Sequence, residues 1–300
     1  MEKRTFRAVF FDLDGTLLPM DVDVFMKSYF RALGGYVARM GIAPDQFMAG
    51  MKRGITAMAT NDSGHANAES FWPEFLACID LPEGVTAETL QAAIGDFYEN
   101  EFGELGADVQ PNPAAARAIE ALVAKGYPLV LATMPMFPRR AVEWRLRWAG
   151  IDPAVFSRIT TFENSTAVKP KPDYYAENLA AAGVEGRDVL MVGNNTKEDL
   201  AACQLGCEGF LVTDFLIDPV GFEVFSVRHG SMEKFADWVD SLPECADPAQ
   251  GVSDAIVPAA ARERVLAACG IADGQAGGAK TLEKAGRSGG TDFVINGMED

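Results

Sequence analysis

Asp12-Leu13-Asp14-Gly15-Thr16 sets two carboxylates one residue apart, directly after the apolar run Ala8-Val9-Phe10-Phe11. Two carboxylates so placed can divide a displacement at phosphorus between a nucleophile and a general acid/base, so the pair marks a phosphoryl-transfer site. A continuous apolar run reads as a strand covered on both faces, and ligands of open α/β sheets collect beyond the carboxyl ends of such strands. Gly15 then lets the chain turn away sharply. Asp and Gly also suit an ordinary polar turn, so the weight falls on three further segments that follow in order.

Those segments sit where later strands should end. The apolar strand Leu129-Val130-Leu131-Ala132 ends at Thr133, the loop Lys169-Pro170-Lys171-Pro172 precedes a helix, and the strand Val189-Leu190-Met191-Val192 ends in Gly193-Asn194-Asn195, with Asp199 one helical turn on. Around them helix and strand alternate. A helix near Ala114 to Lys125 comes first, and one from Arg139 to Ala149 is closed by Gly150. A short strand at Ile159 to Phe162, a helix after Pro172, a helix after Asn195, the strand Phe210-Leu211-Val212 and a final helix from Ser231 to Leu242 complete the series. This pattern predicts an α/β fold, a Rossmann-like parallel sheet wrapped by helices.

Between the first strand and the rest, apolar residues recur at threes and fours: Val22, Phe25, Met26, Tyr29, Phe30 and Leu33, then Phe47, Met51 and Ile55, then Phe71 and Phe75, then Leu90, Ile94 and Phe97. Such spacing predicts helices with one buried face each. Residues 1–18 and 111–243 are therefore read as the core, and 19–110 as an inserted all-helical cap. Residues 244–300 read as an Ala/Gly-rich tail, loosely held apart from a helix near Pro258 to Ala268.

With 300 residues, 48% of them hydrophobic, the chain can bury a substantial core. Its 43 acidic and 26 basic residues give a formal net charge of -17, which repels nucleic acid and anionic membrane surfaces. No apolar stretch is long enough to span a bilayer and no signal-peptide pattern opens the chain, so a cytoplasmic location is expected. Five scattered cysteines do not suggest an oxidised framework, and two histidines make a histidine-based hydrolase or a zinc centre a poor fit. Carboxylates must carry the acid and base work.

The four segments, in this order, resemble the haloacid dehalogenase superfamily, and within it the phosphatase-like members with a helical cap after the first motif. The carriers are Asp12-Leu13-Asp14-Gly15-Thr16, Ala132-Thr133-Met134, Lys169-Pro170-Lys171-Pro172 in a KPxP register, and Val192-Gly193-Asn194-Asn195 with Asp199. The resemblance spans roughly residues 6 to 243. It implies that Asp12 is the nucleophile, Asp14 the acid/base, and Lys169 the cation that screens Asp12 and the phosphate. Thr133 and the Met134 backbone N–H would hold phosphate oxygens. Mg²⁺ would be bound through Asp12, Asp14, Asn194 or Asn195, and Asp199. The substrate would be a small phosphorylated metabolite admitted under the cap.

Each position also has a plainer use. Thr133 could cap a helix, Asp199 could favour a helix N-terminus, and Lys171 competes with Lys169 for the cationic role. The sequence also departs from the family. Relatives carry an acid in the metal loop where this chain has Asn194-Asn195, which predicts weaker Mg²⁺ binding and motivates a rival reading as a catalytically weak relative kept for binding. A phosphomutase would use the same core. In the cap, Asn61-Asp62-Ser63-Gly64-His65 is the candidate segment for reaching the site, or else a solvent-facing turn.

Overall fold

The protein is described here from a computed structural model covering residues 5–271. Six strands form one all-parallel sheet: β1 (Ala8–Phe11), β2 (Leu129–Leu131), β3 (Phe156–Ile159), β4 (Val189–Gly193), β5 (Glu208–Val212) and β6 (Arg228–Gly230), in the order β3-β2-β1-β4-β5-β6. Because β1 lies between β2 and β4, the sheet reverses its winding direction there, which is where open α/β sheets build their clefts. Phe11 is in register with Leu131 on one side and Val192 on the other. Asp12, Thr133 and Asn194 therefore leave the sheet side by side.

Strand pleating sorts the core into two layers. Val9 and Phe11 join Leu129, Leu131, Leu190 and Val192 in one apolar cluster, whereas Ala8 and Phe10 join Val130, Val189 and Met191 in the other. Between β1 and β2 the chain forms the cap helices α1 (Val22–Ala38), α2 (Pro44–Ala59), α3 (Asn67–Leu76) and α4 (Ala87–Asn100). Their buried faces, including Phe25, Leu33, Phe47, Phe71 and Phe97, belong to the same cluster as Phe11 and Leu131, so the cap and one face of the sheet share a hydrophobic core. That face also takes α5 (Pro113–Ala124), α6 (Arg139–Trp148) and, after the opposite layer's α7 (Pro172–Ala182), α8 (Met232–Asp240). The other face is covered by α7 together with α9 (Ala259–Ala268). Among the described residues no helix is long and apolar enough to cross a membrane.

The structure departs from the sequence reading in four places. The strand expected at Ile159 to Phe162 lies at Phe156–Ile159, because its polar-looking Phe-Ser-Arg-Ile sequence hides a fully buried Arg158. The edge strand β6 was not anticipated; Arg228-His229-Gly230 carries no apolar alternation. The helix expected after Asn195 is a 3-10 segment, Asp199–Leu205. Finally, residues 244–271 are anchored to the core through buried Ala249, Val257 and Leu266, whereas the runs Gly274 to Gly278 and Gly289-Gly290 lie outside the described residues.

Arg158 explains why the tail returns to the core. Its guanidinium donates to Asn178 Oδ1 (2.8 Å), to the Ser253 and Ala255 carbonyls (3.0 and 2.8 Å) and to the Asn164 carbonyl (3.2 Å). A buried cation needs such acceptors, and the tail supplies two of them.

Close by, Glu177 accepts from the Thr166 N–H and hydroxyl through Oε2 while Oε1 has no partner. Burial pushes its carboxyl from an ordinary 4.5 up to about 7, against the hydrogen bonds from Thr166. A raised acid pKa adds stability that is fully present below the unfolded value and is lost as pH rises through the folded one. Glu177→Gln is therefore expected to flatten the fall in urea midpoint between about pH 5 and about pH 8. An unchanged slope in the variant would contradict this account.

Candidate active site

Asp12 follows β1 directly, and its N–H still donates to the Val192 carbonyl (2.9 Å), so the backbone is held in the sheet up to the carboxylate. Gly15 then adopts φ 79°, and a Cβ there would lie 2.3 Å from Asn194 Nδ2. Both the turn and the contact demand glycine. Returning under it, Thr16 aims its hydroxyl at Asp12 Oδ2 (3.2 Å) and Asn194 Oδ1 (3.1 Å).

Lys169 is the hub. Its Nζ donates to Asp12 Oδ1 at 2.8 Å and to Asp199 Oδ1 at 2.6 Å, and the lysine is only 2% exposed. Burial by itself would push its pKa down, but the charges of Asp12 and Asp199 outweigh that and raise it well above the ordinary lysine value. The hub is thus a fixed cation. Asp199 reaches it because position 193 has no side chain; a Cβ there would sit 2.2 Å from the Asp199 carboxylate. Lys171 is not part of the hub: its Nζ donates to the Asn61 carbonyl of the cap (3.0 Å).

Asp14 has a different cation. Its Oδ2 accepts from Arg145 Nη1 at 2.5 Å, and Arg145, 2% exposed, stacks its guanidinium over the Phe137 ring at 4.4 Å. Asp14 Oδ1 and Arg145 Nη2 are buried without partners. Burial raises the Asp14 pKa first, Arg145 opposes it, and the neighbouring Asp12 adds to the rise. A carboxyl in that state is suited to giving up and taking back a proton.

Thr133 emerges from the end of β2 with its Oγ1 buried and without a partner, while its carbonyl accepts from Tyr174 and Thr160. It does not cap a helix, since α6 begins at Arg139 behind Pro138. Its hydroxyl, beside Asp12's strand, therefore keeps its donor capacity uncommitted.

The metal-loop residues divide. Asn194 stays with the cluster, its amide donating to the Phe215 carbonyl (2.6 Å) and its Oδ1 facing Thr16. Asn195 instead turns its Oδ1 to the N–H groups of Lys197 and Glu198. Asp199 spends one oxygen on Lys169 and the other on the Asn195 N–H (2.8 Å). Asn195 and Asp199, expected with Asn194 at the metal, thus engage their side-chain oxygens in the loop and on Lys169. Among the described residues no group of three acidic, histidine or cysteine side chains forms a metal site. The oxygens that suit a hard cation are the Asp12 carboxylate, the Asn194 amide oxygen and the Asp14 carbonyl. Asp12 Oδ2 and Asn194 Oδ1 converge on one hydroxyl with a single proton, so one acceptor is always left short, and this donor set fits Mg²⁺ with one charged ligand.

The cap meets this cluster through Asn67, which is fully buried and donates to the Pro135 and Ala167 carbonyls (both 3.2 Å). The segment expected to reach the site is held by its first residue: Asn61 is buried and bonded to Asn67, while Asp62, Ser63 and His65 face solvent. Arg145 and Asn67 were both missed in the sequence. Arg145 left one signal, a charged residue on the apolar face of Ala141, Val142, Leu146 and Ala149.

Compared with known proteins, this arrangement falls within a described family. The family model for haloacid dehalogenase-like hydrolases matches residues 6–205. The chain belongs to the haloacid dehalogenase-like hydrolases. Solved structures of similar fold include a 2-haloacid dehalogenase from Pseudomonas syringae pv. tomato DC3000, with 17% identity, 77% of this chain and 97% of that one covered, and a TM-score of 0.51. A HAD phosphatase from Thermococcus onnurineus is 19% identical over 78% of this chain and 98% of its own, with a TM-score of 0.46. CbbY from Rhodobacter sphaeroides, solved with phosphate, is 20% identical over 76% and 96%, with a TM-score of 0.48. None of the curated proteins compared with the chain matches it.

Within this haloacid dehalogenase-like site the Asp14–Arg145 pair is buried enough to be tested by its removal. Arg145→Met leaves Asp14 without its cation and should destabilise the protein by roughly 3 kcal/mol, the cost of orphaning one member of a buried pair. Adding Asp14→Asn should recover most of that loss in urea unfolding. If the double variant is no more stable than Arg145→Met, the loss does not come from an Asp14 carboxyl left without its cation.

Proposed function

We propose that this chain hydrolyses phosphate monoesters. The observation that carries the reading is Asp14: a second carboxyl two residues beyond Asp12, mostly shielded from solvent, with a raised pKa and one buried oxygen unpartnered. Halide needs no proton to leave, whereas an alkoxide does, so an acid in this position favours an ester substrate over a haloacid.

In the proposed reaction an Asp12 oxygen attacks phosphorus as Asp14 hands its proton to the departing ester oxygen, giving an aspartyl-phosphate and a free alcohol. Asp14 then takes a proton from water, which attacks the phosphorus of the aspartyl-phosphate and returns Asp12 and inorganic phosphate. Lys169 offsets the charge of Asp12 and of the phosphoryl oxygens throughout, and the Thr133 hydroxyl donates to one of those oxygens. Asp199 acts by holding Lys169. Mg²⁺, held by Asp12, Asn194 and the Asp14 carbonyl, would supply further charge neutralisation at the phosphoryl group. With one carboxylate among its ligands it should bind weakly. We further propose a small phosphorylated metabolite as substrate, with no nucleic acid or membrane partner, and a cytoplasmic setting. The charge of -17 supports the exclusion of polyanionic partners.

Release of inorganic phosphate from a panel of phosphate esters tests this, with Mg²⁺ titrated against chelator. Turnover is expected to depend on Mg²⁺, to vanish in Asp12→Asn, and to fall on the order of 10²- to 10⁴-fold in Asp14→Asn. Asp12→Asn turning over as fast as wild type would sink the proposal.

A further inference from the structure

Beside Asp14 lies a cavity of about 90 Å³ between cap and core. Asp14 and Arg145, paired with each other, belong to its lining, as does Met134. The remainder is hydrocarbon and aromatic ring, including Phe25, Met51, Met58, Phe71 and Phe137. Tyr29, Trp72 and Tyr98 also line it, and the two tyrosine hydroxyls bond to each other at 2.6 Å. That bond uses one of the two hydroxyl protons and leaves the other as a single donor at this wall. Among the described lining residues, the fully buried side-chain atoms without a partner are Asp14 Oδ1 and Arg145 Nη2 of that pair.

We propose that this cavity holds the leaving group of the substrate, and that the substrate is the phosphate monoester of an apolar alcohol, aromatic or branched aliphatic, rather than a sugar phosphate. The inference rests on the phosphatase reading and specifies its substrate class. In the reaction R–O–PO₃²⁻ + H₂O → R–OH + HPO₄²⁻, the proton that R–O receives comes from Asp14, so R must lie on the Asp14 side of the phosphorus. That side is the apolar cavity. A sugar would bring several hydroxyls against a wall that is mostly hydrocarbon and aromatic ring, and each hydroxyl left unbonded there loses its water without replacement. An aromatic or branched alkyl body instead removes apolar surface from water on both sides, and methionines let the wall adapt to its shape. The Arg145 Nη2 donor is then available to the ester or phosphoryl oxygens at the cavity's mouth.

Benzyl phosphate, hexyl phosphate and glucose 6-phosphate are all esters of primary alcohols, so comparing them separates pocket chemistry from leaving-group strength. Benzyl and hexyl phosphate are expected to exceed glucose 6-phosphate in kcat/KM on the order of 100-fold, mainly through KM. Leu33→Trp, which fills the space, should raise KM for benzyl phosphate about tenfold or more. Should that variant not fold, Met58→Ala enlarges the cavity and should shift preference toward 1-naphthylmethyl phosphate. Equal or better turnover of glucose 6-phosphate by wild type overturns the inference while leaving the phosphatase reading intact. If wild type hydrolyses no ester, the phosphatase reading fails, and the pocket is judged by calorimetric binding of the product benzyl alcohol. Saturable binding weakened by Leu33→Trp then supports an apolar ligand, and no saturable binding overturns it.

Discussion

A lysine ammonium carried out of water at the edge of the sheet is the constraint on which the rest of this site depends. Lys169 can be buried only if carboxylates come with it, since an isolated charge in such a place costs many kcal/mol. Asp12 is brought by the end of β1 and Asp199 by the turn after β4, and the second approach is open because residue 193 has no Cβ to block it. The two strands are hydrogen-bonded neighbours, so sheet register fixes the spacing of the two carboxylates. Hence a backbone pattern set by apolar strands determines where the Asp12 charge is held.

The same logic repeats at Asp14 with a cation from another layer. Arg145 reaches it from α6, packed over Phe137, so the acid is tuned by a helix rather than by the sheet. The two acids thus sit next to each other but answer to different cations, one a lysine bridged to a further carboxylate, the other an arginine with a donor to spare. The cap completes the arrangement. Asn67 ties α3 to the loops that follow β2 and precede Lys169, so cap position and the placement of Thr133 and Lys169 are mechanically linked.

Much of this was legible in the sequence, for a physical reason. Asp12, Thr133 and Asn194 follow apolar runs that can only be buried strands, and parallel neighbours must end on the same side, so order along the chain translates into proximity. What escaped was charge placed where composition suggests solvent. Arg145 sits in a helix that also carries Arg139, Arg140 and Arg147 and reads as an exposed basic face. Arg158 looks foreign to a strand, and the residues that satisfy it, Ser253 and Ala255, lie in a tail whose Ala-rich composition shows no amphipathic pattern. Both misses concern buried arginines whose partners are distant in sequence: 131 residues separate Arg145 from Asp14, and 95 and 97 separate Arg158 from its two tail carbonyls. For Asn195 and Asp199 the sequence was silent on something else. Residue type showed that each could bind a metal, but only geometry showed their oxygens already engaged in the loop and on Lys169.

The central claim is that Asp12, held by Lys169, is the atom donor that attacks phosphorus. Mixing the protein with benzyl phosphate or acetyl phosphate, quenching in acid during turnover and mapping the peptides by mass spectrometry tests it directly. The account predicts one added phosphoryl group on the peptide containing Asp12, lost on treatment with hydroxylamine and absent in Asp12→Asn. Phosphate released with no such adduct at any quench time, or an adduct that persists in Asp12→Asn, would contradict it.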